Sequence, residues 1–81
     1  MSETSSRVRR IIVKTLKLDE TSLPSSLEVD SVPAWDSLGH ITLMVCLQEE
    51  FGIDIPLDKS VEMLSENNIV TTVDQILNKT R

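Results

Sequence analysis

The chain has 81 residues, 40% of them hydrophobic and 26% charged, which is the profile of one small soluble domain rather than two domains or a disordered tail. Eight basic against thirteen acidic side chains give a formal net charge of −5, arguing against a nucleic-acid or anionic-membrane surface and for basic partners. A chain this short buries only a little over half of its unfolded surface, which excludes a deep catalytic cleft.

Residues 1–4 are expected to be disordered, and residues 4–18 read as the first helix. Val8, Ile11, Ile12, Thr15 and Leu16 recur there at i, i+3 and i+4 spacing, with Ser5 or Ser6 available as a cap. Arg7, Arg9, Arg10, Lys14 and Lys17 concentrate the positive charge here, and Arg9 and Lys14 read as part of the wet face of that helix. Residues 19–33 are rich in Ser, Asp, Glu and Pro, a long first loop that would be costly if structureless. Its spaced Leu23, Leu27, Val29 and Val32 let it pack as an ordered strap across the helix ends.

Asp36-Ser37-Leu38 opens the longest and most apolar helix, residues 37–51, after Pro33 and Ala34 have interrupted any earlier one. With Asp36 as N-cap, Ser37 is the first helical residue, and its hydroxyl stands beside backbone N–H groups that lack intrahelical partners. The helix dipole favours an anion at that end, so a phosphate carried by Ser37 would be stabilised. A bare Asp-Ser at such a place is first of all a cap. On a wheel of about 100° per residue, Leu43, Met44, Leu47 and Phe51 share one side with His40 and form the core face. Leu38, Ile41 and Val45 lie on a neighbouring face with Thr42, Gln48 and Glu49, wider than one core stripe needs, so this face is either covered by a neighbouring element or left for a partner. His40 is placed to pack on Trp35, which precedes the cap.

Gly52 suits a left-handed helix end and Pro56 blocks continuation. Residues 57–64 read as a short third helix with Leu57, Val61 and Leu64 on one side. Residues 65–68 read as a loop, and a last helix begins near Thr72, whose hydroxyl and Gln75 fit a capping box, and runs through Val73, Ile76 and Leu77. The sum is an all-α fold, a small four-helix bundle with a long first loop and a short third helix.

The Asp36-Ser37-Leu38 motif, its amphipathic helix, the Glu49-Glu50-Phe51 ending and Ile53-Asp54-Ile55-Pro56 together resemble the acyl carrier protein family, over almost the whole chain. The resemblance implies a single acyl-carrier domain over residues 1–81. It further implies that Ser37, with Asp36 and Leu38 completing the motif, receives 4′-phosphopantetheine from coenzyme A through a phosphopantetheinyl transferase. The arm's thiol would carry acyl groups as thioesters, loaded by an acyl ligase or transferase and presented to downstream enzymes of a fatty-acid, specialised lipid or polyketide-like pathway. Leu38, Ile41, Thr42, Val45 and Glu49 are then the partner-facing residues, and Ile55, Val61, Met63 and Leu64 the candidates for sheltering an acyl chain. A monomer is expected.

Several residues depart from the fatty-acid-synthesis members of that family. Gly39 and His40 stand where acidic or polar residues are common, Thr42 and Gln48 dilute the negative charge of the helix, and the loop at residues 65–70 reads as longer. These departures favour a dedicated pathway carrier, and the Gly-Gly-His-Ser pattern of peptidyl carriers is absent. An aminoacyl or other non-fatty carrier, and a structural subunit that never bears the arm, remain alternatives.

Ser37, His40 and Asp36 are close enough in sequence to raise a hydrolase, but adjacent residues on one exposed turn supply neither an oriented base nor oxyanion donors. The expectation is therefore no enzyme and no catalytic residue. One His and one Cys make no metal cluster. Cys46 has no disulfide partner and reads as a small core hydrophobe; with no apolar leader and no stretch of transmembrane length, a cytoplasmic location is expected.

Overall fold

A computed structural model describes residues 3–23, 25 and 27–79. Four α-helices follow in order: α1 Glu3–Leu16, α2 Ser37–Phe51, α3 Leu57–Ser60 and α4 Glu66–Lys79. Glu3 and Thr4 form the first turn of α1; Met1 and Ser2, also expected to be disordered, lie outside the described residues. The close helix pairings are α1 with α2 and α1 with α4. α1 is accordingly the central element, and Val8, Ile11, Ile12, Val13 and Leu16 are all buried along it. Leu43, Met44 and Leu47 from α2 and Ile69 and Val73 from α4 close the core from two sides.

α1 and α2 stop in the same way. Leu18 N–H reaches back to Val13 O at 3.0 Å and Ile53 N–H to Gln48 O at 3.1 Å, each around a residue in the left-handed region, Lys17 (φ 54°) and Gly52 (φ 63°). This bond satisfies one of the last carbonyls of each helix. Glycine adopts that backbone freely, whereas Lys17 does so against the steric preference of an L-residue. Arg7 stacks 4.3 Å over the Phe51 ring and donates to Glu50 O at 2.9 Å, tying α1 to the carbonyl end of α2.

Over its described residues the first loop is the strap that its spaced aliphatics imply. Two 3-10 turns, Glu20–Ser22 and Val29–Ser31, interrupt it, and Leu27 and Val32 are buried. Its middle is pinned to the segment before α4: Glu28 bridges Ser65 in antiparallel fashion, Val29 N–H donates to Leu64 O at 3.0 Å, and Glu66 N–H donates to Leu27 O at 2.8 Å.

That pairing explains two corrections. α3 is four residues long, not the eight of residues 57–64. Glu62 N–H and Met63 N–H donate to Lys59 O and Ser60 O in tight turns, because Met63 must enter the core and Leu64 must meet Val29. α4 begins at Glu66, six residues before Thr72. Ser65 Oγ accepts from Asn68 N–H at 3.2 Å and Glu66 sits at the positive end of the helix dipole, so the polar run is a cap with its first turn rather than a loop. Thr72 lies inside the helix, and residues 66–70 of the longer loop expected at residues 65–70 are helical.

Glu66 is buried and pairs with Arg9, whose Nη1 lies 2.8 and 3.1 Å from its two carboxylate oxygens. Removing the cation strands a desolvated carboxylate, whereas neutralising the acid keeps a hydrogen-bonding group in place. Arg9→Met is therefore expected to cost about 2 kcal/mol and Glu66→Gln about 1 kcal/mol in urea unfolding. An Arg9→Met variant no less stable than Glu66→Gln would contradict this assignment.

Candidate functional site

The site is the N-terminal turn of α2. Asp36 is extended (φ −97°, ψ −170°), and its Oδ1 accepts from Gly39 N–H at 2.8 Å while its own carbonyl accepts from His40 N–H at 2.8 Å. The side chain thus satisfies one orphan donor and the main chain begins the helical ladder. Ser37 is the first helical residue and is exposed, as its place in the motif predicts.

Two neighbours make this turn rigid. A Cβ on Gly39 would meet Ala34 O at 2.6 Å and Leu16 Cδ2 at 3.0 Å, so the turn lies directly on a backbone carbonyl and on the end of α1. Trp35, 2% exposed, anchors the preceding residue, with its N–H donating to Val32 O at 2.9 Å and its indole Nε1–H to His40 Nδ1 at 3.0 Å. The Trp35–His40 contact is the one read from their spacing. Gly39 was legible only as a departure in charge, because close approach to a distant carbonyl leaves no local signal.

Around Ser37 the α2 surface is apolar. Leu38 is 73% exposed, Ile41 62% and Val45 46%, so no neighbouring helix covers this face. Thr42 is exposed and bonds Leu38 O through its hydroxyl at 2.9 Å; Glu49 is exposed on the last turns. Leu43, Met44 and Leu47 are buried as expected, Phe51 is half-buried under Arg7, and Cys46 is partly buried against the core. Gln48 does more than dilute charge: its Oε1 accepts from Ile55 N–H at 2.8 Å and holds the segment between α2 and α3.

The four candidates for acyl shelter separate. Met63 is fully buried and Ile55 packs against the core, whereas Val61 and Leu64 are exposed, so no enclosed space is lined by all four. Leu57, the third of the expected α3 stripe, is 80% exposed. The stripe turned outward because only four residues remain helical and Met63 takes the place in the core. An open groove lies elsewhere, between α1, the first loop and α4, with Arg9, Arg10, Val13, Leu23 and Glu66 among its lining residues. Among the described residues no group of His, Cys, Asp and Glu could hold a metal ion, and no helix is long and apolar enough to cross a membrane.

No protein-family model matches the chain. Among solved structures, the solution structure of a holo acyl carrier protein from Geobacter metallireducens is similar, with a TM-score of 0.82 at 23% identity over 98% of this chain and 91% of that one. The chain therefore has the fold of an acyl carrier protein, with Ser37 exposed at the start of its longest helix.

Proposed function

We propose that the protein is an acyl carrier that bears 4′-phosphopantetheine, derived from coenzyme A, on Ser37 Oγ. The observation that carries this reading is an exposed serine at the first residue of α2, capped by Asp36, on the fold of a holo acyl carrier protein. The residues fit the group: the hydroxyl is reachable, the capped turn fixes its position, and the partial positive charge of the helix end favours a phosphodiester anion by about 0.3–1 kcal/mol. When attached, the arm supplies a terminal thiol on which an acyl group is held as a thioester.

The chain's own residues perform no reaction. Asp36 orders the turn, Gly39 lets it lie on the Ala34 carbonyl, and Trp35 anchors it from beneath. Leu38, Ile41, Val45 and, beyond them, Thr42 and Glu49 offer the face that a phosphopantetheinyl transferase, a loading ligase or transferase, and the downstream enzymes would meet in turn. Serving several enzymes requires fast release, which small, largely exposed contact sets provide. Gly39, His40, Thr42 and Gln48, which leave the first three turns of α2 without an acidic side chain, support a dedicated lipid or polyketide-like pathway over general fatty-acid synthesis.

Intact mass decides the central point. Incubation with coenzyme A, Mg²⁺ and a broad-specificity transferase is expected to add one phosphopantetheinyl group to the wild-type chain and nothing to Ser37→Ala. Wild-type mass that stays at the bare-chain value sinks the carrier reading and leaves a subunit without an arm. Loading of the modified chain with acyl against aminoacyl donors then identifies the cargo.

A further inference from the structure

α3 is held in an unusual way. It has four residues, Leu57 and Val61 stand in solvent, and it shares none of the close pairings that join α1 to α2 and α4. Its end is instead bonded to a ring on α2: His40 Nε2 lies 2.8 Å from the carbonyl oxygen of Ser60, which is buried. The other nitrogen of that ring, Nδ1, receives the Trp35 indole N–H at 3.0 Å. An indole nitrogen only donates and a carbonyl only accepts, so a single tautomer satisfies both contacts, with Nδ1 bare and the proton on Nε2. The ring centroids lie 6.3 Å apart with their planes inclined at 22°. A chain of donors thus runs from a buried anchor, through the first turn of α2, to the end of α3.

We infer that His40 is a positioning residue whose neutral ring latches the end of α3 to the first turn of α2. The latch sets where Leu57, Val61 and Leu64 stand relative to Ser37 and Leu38. The exposed aliphatics of the two helices flank this one joint, so a partner that reaches Ser37 meets both sets in the arrangement His40 dictates. The consequence for partner recognition rests on the carrier reading; the latch itself does not. The Asp36 cap of this turn does not involve the His40 ring, so it stays in place whether or not the latch is closed.

The test uses the isotope-labelled full chain. Wild type is expected to show ring nitrogen shifts of a bare Nδ1 and a protonated Nε2, and a hydrogen-bonded Trp35 indole proton. His40→Leu keeps volume and removes both bonds; backbone order parameters at residues 57–61 are expected to fall below about 0.6 while α1 and α4 stay near 0.85. Transferase KM should rise about fivefold with kcat unchanged, the factor worth one net hydrogen bond. His40→Gln, whose amide offers an acceptor and a donor at similar separation, should recover both readouts. Trp35→Phe removes only the indole donor and serves if His40→Leu does not fold.

A proton on Nδ1 in wild type overturns the inference. So does a folded His40→Leu with an ordered α3 and wild-type KM, or loss of order spread evenly over all helices. If the wild-type chain is never modified by a transferase, the carrier reading fails, and the ring nitrogens and order parameters still decide the latch.

Discussion

Trp35→Ala is expected to remove a large share of the chain's stability. Trp35 is 2% exposed and stands between the first loop and α2, so truncation removes its burial and leaves a cavity, a loss of about 3–5 kcal/mol. It also strips His40 Nδ1 of its donor. Domains of this length have roughly 4–12 kcal/mol in total, so the variant keeps little margin. Trp35→Phe should lose far less, because most of the ring volume remains. Urea titration followed by far-ultraviolet circular dichroism measures the difference; fluorescence does not serve, since the chain has one tryptophan. A loss under about 1 kcal/mol for Trp35→Ala would mean that the anchor is unimportant.

The second large effect is expected at Gly39. Alanine in a helix is ordinarily better than glycine by about 1 kcal/mol. Here the added methyl would sit 2.6 Å from Ala34 O, 3.0 Å from Leu16 Cδ2 and 3.2 Å from Asp36 Oδ1. The leucine can rotate, but the carbonyl belongs to the backbone, so the turn must lift off it. Gly39→Ala is therefore expected to destabilise by about 1–2 kcal/mol against its propensity. Because the same turn carries Ser37, transferase modification should slow by as much as about 100-fold, the scale of a displacement near 1 Å. Gly52→Ala is the control. It is strained by a φ of 63° with open space around the Cβ, so it should lower stability at the far end of α2 and leave modification unchanged. Wild-type modification of Gly39→Ala would show that the turn tolerates the shift.

Where periodicity and capping agreed, the sequence was sufficient. The bounds of α2, its Asp36 cap, its Gly52 terminus and the buried Leu43, Met44 and Leu47 follow from local chemistry and a 3.6-residue period, whereas the period groups Leu38, Ile41 and Val45 on one face and leaves to tertiary packing whether that face is covered. The site was legible for the same reason, since a serine in a capped first turn is a local feature. The errors arose where pairing distant in sequence decides conformation. Residues 61–64 have helical spacing, yet Val29 takes the Leu64 carbonyl and Met63 fills the core, so the helix stops. Composition marked residues 65–68 as loop because Ser, Glu and Asn serve both turns and helix starts; Ile69, fully buried, is the residue whose spacing to Val73 extends α4 backward. The crowding at Gly39 and the Ser60 bond of His40 join residues that meet only after folding.

The Arg9–Glu66 pair spans 57 positions of sequence. During synthesis α1 leaves the ribosome well before α4, and for that interval the face of α1 that will receive Ile69 and Val73 is uncovered. The α1–α2 hairpin is thus a species with a half-dressed core, and the last helix acts as its lid. Charge keeps such half-finished chains apart. Mutations that weaken α4 should accordingly reduce yield in the cell more than mutations elsewhere of equal cost in equilibrium stability, measured as soluble protein against urea unfolding.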